Sequence, residues 1–102
     1  MAELTITSDN FMEEVVNYKG TVLLDFWATW CGPCRMLGPV IEQIAQERQD
    51  IKVGKVNVDE QTELQQQFEV MSIPMIVLIK DGQIVKTHTG FMPKEAILDW
   101  IG

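Results

Sequence analysis

The stretch Trp27-Ala28-Thr29-Trp30-Cys31-Gly32-Pro33-Cys34-Arg35 holds both cysteines of the 102-residue chain. An apolar run, Val22-Leu23-Leu24-Asp25-Phe26-Trp27, leads into it and reads as a buried strand, and a helical pattern leads out of it. Thiols at this spacing can close a small ring, because Gly32 allows an unusual backbone turn and Pro33 presets the φ of a first helical turn. A helix beginning near Pro33 and Cys34 points its free N–H groups toward Cys31 and favours a thiolate there. Cys31 therefore reads as a nucleophile. Cys34, one turn inside the helix and covered, reads as the thiol that resolves a mixed disulfide on Cys31. A zinc site is the first rival, but tetrahedral zinc needs four ligands, and the chain offers two thiolates, a distant His88 and carboxylates without matching spacing. Two inert core cysteines at the same spacing are the other.

Length and composition set the frame. A chain of 102 residues, 46% hydrophobic, suits one domain over residues 1–102 with a single core. No window approaches the ~20 apolar residues of a membrane span, and Met1-Ala2-Glu3-Leu4-Thr5 lacks the basic start and apolar stretch of a secretory signal. The cytoplasm is the expected location, where paired cysteines serve chemistry more often than structure. With 15 acidic against 8 basic residues the net charge is −7, which argues against nucleic acid and anionic membranes as partners. This acidity reads as a solubility device rather than a means of selecting basic partners.

Taken in order, Leu4-Thr5-Ile6 is a short strand. Thr7-Ser8-Asp9-Asn10 offers N-caps for a helix marked by Phe11, Val15 and Tyr18 and ended by Lys19-Gly20. The strand Val22 to Ala28 is apolar enough to be covered on both faces, and Asp25 is its anomaly. Alternation puts Asp25 on the face of Leu23 and Trp27, and burial there raises its pKa, leaving it either a proton acceptor near neutral pH or a carboxyl bonded to the backbone. After Cys34, Met36, Leu37, Val40, Ile41, Ile44 and Ala45 stripe one face of a helix that runs to about Arg48, with Pro39 expected to kink it.

A strand over Lys52 to Val58 follows, then Asp59 as N-cap of a short helix that turns Leu64 and Phe68 inward. Ile76 to Ile79 reads as a strand headed by Pro74, a place where proline avoids ladder donation. Lys80-Asp81-Gly82-Gln83 is a tight-turn signal, so Ile84 to Thr87 should return antiparallel. His88 reads as a surface residue. Pro93 opens a last helix whose Ala96, Ile97, Trp100 and Ile101 cover the sheet. Helices alternating with strands, then a hairpin, give an α/β fold with a mixed four- to five-stranded sheet and helices on both faces.

Trp30-Cys31-Gly32-Pro33-Cys34 after a strand carrying Asp25, Ile73-Pro74 about forty residues later, and then Gly82 and Gly90, resemble the thioredoxin family over nearly the whole chain. Glutaredoxins, disulfide isomerases and periplasmic oxidases share that fold but carry other dipeptides between the cysteines. The resemblance implies the thioredoxin fold and a protein-disulfide reductase that cycles between a Cys31–Cys34 dithiol and disulfide, as a general electron donor in redox homeostasis. It implies no bound cofactor or metal. Its partners would be a thioredoxin reductase, NADPH- or ferredoxin-linked, and disulfide-containing targets, with the chain acting as a monomer.

Residue by residue, the resemblance makes Asp25 the base for Cys34 and places Lys55 beside it to lower its pKa. It makes Pro74 a cis proline packed on the cysteine pair. It forms a target groove from Trp30, Gly32, Pro33, Ile73, Pro74 and Gly90, with Trp27 and Pro39 as structural neighbours. The chain departs from the family pattern at Arg35, commonly Lys, at Met75, usually Thr, and at Met71-Ser72, more typically a basic-Gly pair. These departures bear on partner choice more than on chemistry.

Overall fold

Burial on two faces and pairing on two edges explain the sequence of the central strand. Strand β2 (Thr21–Trp27) is buried from Val22 through Phe26 in a computed structural model that describes residues 3–102. Met1 and Ala2, where the reading of a missing leader begins, lie outside the described residues. Strand β3 (Lys52–Asn57) runs parallel to β2 on one edge, and β4 (Met75–Lys80) runs antiparallel on the other. Strand β1 (Leu4–Thr5) adds parallel to β3, and β5 (Gln83–Thr89) adds antiparallel to β4. The mixed sheet therefore has five strands in the order β1-β3-β2-β4-β5.

Two apolar cores sandwich this sheet. On one face Leu23, Val53 and Ile76 meet Leu37, Ile41, Ile44 and Ala45 of helix α1 (Gly32–Glu47) and Ile97 of α3 (Lys94–Ile101). On the other, Leu24, Phe26 and Val77 meet Phe11, Val15, Leu64 of α2 (Thr62–Gln67) and Phe68. Phe68 sets its ring edge-on to Phe11 at 5.7 Å and tilted against Phe26 at 5.1 Å, a geometry that aromatic quadrupoles favour.

Several local expectations change. The segment Met12–Val16 winds as a π-helix, with the Asn17 amide donating to the Met12 carbonyl at 2.8 Å. Asn10 does not cap it through its side chain; its Oδ1 accepts from the Thr7 amide and its Nδ2 donates to the Thr5 carbonyl, which ties the segment back to β1. The buried stripe of α1 is narrower than the sequence suggests, with Met36 63% exposed and Val40 only partly covered. The helix is continuous through Pro39, which has no amide to give the Arg35 carbonyl one turn back. His88 is half-buried opposite Ile76 rather than free on the surface. No helix among the described residues is long and apolar enough to cross a membrane.

The β4–β5 turn is fixed by its backbone conformation and by Asp81, whose amide donates to the Gly20 carbonyl and whose Oδ1 accepts from the Gly20 amide, both at 2.9 Å. Asp81 and Gly82 both take positive φ, 50° and 81°, as a tight hairpin turn requires. A Cβ on Gly82 would stand 2.5 Å from the Val16 carbonyl oxygen, so the π-helical segment packs where only hydrogen fits. Gly82→Ala should therefore destabilise the fold by about 2 kcal/mol or more, combining left-handed strain with a backbone clash. Urea denaturation should show it as a lowered midpoint with an unchanged slope.

Candidate redox site

Helix α1 begins where β2 delivers the chain to the carboxyl end of the sheet. Cys31 is its N-cap residue, and Gly32 and Pro33 form its first turn, so proline's missing amide costs nothing there. Cys31 and Cys34 are joined as a disulfide with Cα atoms 5.2 Å apart. Among the described residues, no group of three or more His, Cys, Asp or Glu could hold a metal ion. The Cys34 amide donates to Cys31 Sγ at 3.2 Å, so the sulfur takes the place of a side-chain oxygen cap. Cys34 is covered, at 4% exposed, but Cys31 is covered too, at 5%, so burial does not distinguish them. The hydrogen bond does, because it stabilises negative charge on Cys31 alone.

Across from this helix start, the Ile73–Pro74 bond is cis. The Ile73 carbonyl oxygen lies 3.8 Å from Cys31 Sγ. The Gly90 amide donates to the Pro74 carbonyl at 2.7 Å, and Gly90 takes φ +104°, which brings the end of β5 against the proline. Pro33 and Gly32 are exposed beside the disulfide, as is Trp30, 66% exposed. Sequence spacing thus finds residues that the tertiary structure brings to one end of the sheet.

Asp25 lies deeper, 1% exposed, paired in register with Lys55 on β3 and Ile76 on β4. Its Oδ1 is buried without a hydrogen-bond partner among the described residues, so the alternative of a backbone-bonded carboxyl finds no support at that oxygen. Burial pushes its pKa from 3.8 to about 7, with the charge of Lys55 pulling the other way. Desolvation wins because Lys55 is only half-buried and shares its charge with water and with the Trp27 ring, whose centroid is 5.0 Å from Nζ. Trp27, Cys34, Gly38, Pro39 and Lys55 line one cavity of about 290 Å³, so the cavity reaches from the second cysteine to the lysine beside Asp25.

One residue takes a different part from the one its sequence suggests. Asp59 does not cap α2, whose N-cap is Gln61 without a side-chain bond. Asp59 Oδ2 instead accepts from Trp30 Nε1 at 2.8 Å, which orients the exposed indole. The bond spans 29 residues, a pairing that no local pattern encodes. The groove beside it, about 330 Å³, also takes in Val58, Val70, Met71 and Ile73, of which Met71 and Ile73 stand out in the sequence.

The thioredoxin family profile matches residues 2–102. The chain is 45% identical to the thioredoxin of Bacillus subtilis (strain 168) over 102 residues, covering 99% of this chain and 96% of that one. It is 50% identical to the thioredoxin of Listeria monocytogenes over 93 residues, covering 90% and 88%, and 43% identical to that of Rickettsia prowazekii over 97 residues, covering 94% and 92%. A disulfide at a helix N-terminus, a cis proline facing it and similarity along almost the full length agree: the chain belongs to the thioredoxin family, as a thiol–disulfide oxidoreductase of the protein-disulfide reductase type.

Proposed function

We propose that Cys31 is the attacking sulfur and that the groove from Trp30 to Gly90 holds the target. The observation that carries this reading is the Cys34 amide on Cys31 Sγ at 3.2 Å, a donor aimed at the atom that must bear negative charge. In the dithiol form, Cys31 thiolate attacks a target disulfide, forming one new S–S bond and releasing the target's other sulfur as thiolate. Cys34 then gives up its proton and attacks Cys31 Sγ, which frees the second target sulfur and leaves the Cys31–Cys34 disulfide. The target gains two electrons and the cysteine pair loses two. Trp30, Gly32, Pro33, Ile73, Pro74 and Gly90 supply an uncharged rim, and the backbone of Ile73 pairs with an extended target segment.

Asp25 is the base for Cys34. A carboxyl titrating at about 7 is poised to take a thiol proton at neutral pH through a water, and the cavity beside Cys34 extends to Lys55, the register neighbour of Asp25. Lys55 tunes that acidity, while Trp27 and Pro39 shape the cavity. The dithiol is regenerated by an external thioredoxin reductase, NADPH- or ferredoxin-linked. The chain works as a monomeric, single-domain electron donor in cytoplasmic redox homeostasis, without nucleic acid, membrane or bound cofactor. Relatives bearing the thioredoxin name support the reductase partner, and the net charge of −7 supports the absence of nucleic acid.

Two outcomes check these roles. Cys34→Ser should accumulate covalent complexes with disulfide-containing proteins on non-reducing gels, and Cys31→Ser should form none; equal trapping by both would reverse the assignment. Asp25→Asn should slow target release near pH 7 while sparing the first attack, because the resolving thiol loses its base.

The same carboxyl sets a stability signature in the oxidised protein. Between about pH 4 and pH 7 the unfolded chain has ionised Asp25 while the folded chain keeps its proton, so stability falls as pH rises through that window. Asp25→Asn should remove this slope and gain about 4 kcal/mol over the parent at pH 8, the free-energy equivalent of the shift from 3.8 to about 7. Denaturation curves at pH 4, 6 and 8 measure it. A parent whose stability is independent of pH across the window would contradict the burial of this carboxyl.

A further inference from the structure

The acid surplus of this chain is not spread evenly around the disulfide. From Val56 to Ile79 the sequence has four carboxylates, Asp59, Glu60, Glu63 and Glu69, and no Lys, Arg or His. The fold wraps this segment along one side of the redox site. Asp59 stands in the apolar groove of Trp30, Val58, Val70, Met71 and Ile73. Glu69 lies in the neighbouring cleft, which shares Met71 and Ser72 with the groove. Glu60 lines a third cleft with Trp27 and Thr29, but Lys55 stands there as well, so that cleft is of mixed charge and only Asp59 and Glu69 bear on the groove. On the α1 side Arg35 and Lys55 line the cavity that holds Cys34, with Glu42 beside them.

We propose that this groove selects by charge, its preferred occupant being a target segment with Lys or Arg flanking the disulfide cysteine. The inference rests on the reading of the groove as the target site and adds a substrate class to it. The apolar walls contact the segment without regard to sequence, with Met71, 92% exposed, as the most accessible side chain. Discrimination comes from the carboxylates that border the uncharged rim. A cation beside the target cysteine gains attraction from Asp59 and Glu69, screened over a Debye length of ~10 Å at 0.1 M salt, whereas a carboxylate there is repelled. Asp59 remains available for this, because its bond to Trp30 uses one oxygen, Oδ2, of its two. Exposed pairs are individually weak, so the preference is a rate effect on encounter rather than tight binding.

The test uses the full-length protein, reduced with dithiothreitol and freed of it, against two peptides that differ only in Lys or Glu on either side of an intramolecular disulfide. Single-turnover rates are followed by tryptophan fluorescence. The Lys peptide should react on the order of fivefold faster at 20 mM salt, with the ratio shrinking toward one at 0.5 M. Glu69→Lys should lower that ratio. Glu13→Lys, which makes the same change in net charge on the segment packed against Gly82, at the far end of β4 from Pro74, should leave it intact. Equal rates for the two peptides at low salt, or an equal response to the two substitutions, would overturn charge selection by the groove. An uncharged disulfide, bis(2-hydroxyethyl) disulfide, separates the two readings: failure to reduce it overturns the redox roles themselves and charge selection with them, whereas its reduction alongside equal peptide rates overturns charge selection alone.

Discussion

Enclosure of β2 is the constraint on which the rest of this structure depends. The strand has hydrogen-bonding neighbours on both edges and an apolar core on each face, so nothing polar on it can reach bulk water except at its ends. Its carboxyl end is where the chain leaves the sheet, and the chain turns there directly into α1. The free amides of the helix start are thereby set at the surface, above a strand that carries a buried carboxyl. The proposed redox roles rest on both features, a sulfur that accepts a helix amide and a carboxyl shielded from solvent. One enclosed strand followed by one helix supplies both.

Two competing effects are decided by burial. At Asp25, loss of hydration outweighs the attraction of Lys55, because the lysine is half-buried and leans on Trp27 while the carboxyl is 1% exposed. At the cysteines burial is nearly equal and decides nothing. There the directed amide of Cys34 distinguishes the two, donating to Cys31 Sγ and leaving Cys34 inside the helix beside the cavity that adjoins Lys55. The same physical chemistry thus acts through desolvation at one residue and through a single hydrogen bond at its neighbours.

The surface repeats this division of labour in weaker form. A net charge of −7 serves solubility wherever it lies, but its distribution matters once the chain is folded. With Asp59 tied to Trp30 and Glu69 across the Met71–Ser72 ridge, part of the acidity faces the cleft beside the disulfide. Arg35, where the family commonly has lysine, keeps a cation on the opposite side. The carboxylates are equally visible in the sequence, yet their sidedness exists only in three dimensions.

What the sequence by itself determined was set by contiguity. The apolar run into Cys31, the Gly-Pro pair and the helical stripe after it are local, so the strand, the helix start and the redox pair could be read from neighbouring residues. Asp25 was legible because a carboxylate interrupts an otherwise apolar strand. Periodicity likewise located the five strands and most helices to within a residue or two, and the positive-φ turn at Asp81-Gly82 followed from its residue types. Tertiary structure alone decided what depends on distant partners. It moved Asp59 from a cap to the indole of Trp30, wound Met12–Val16 as a π-helix between the tie to β1 and the packing of Val16 on Gly82, and covered Cys31 as fully as Cys34. Those outcomes turn on hydrogen bonds and packing between residues tens of positions apart, which spacing along a chain does not encode.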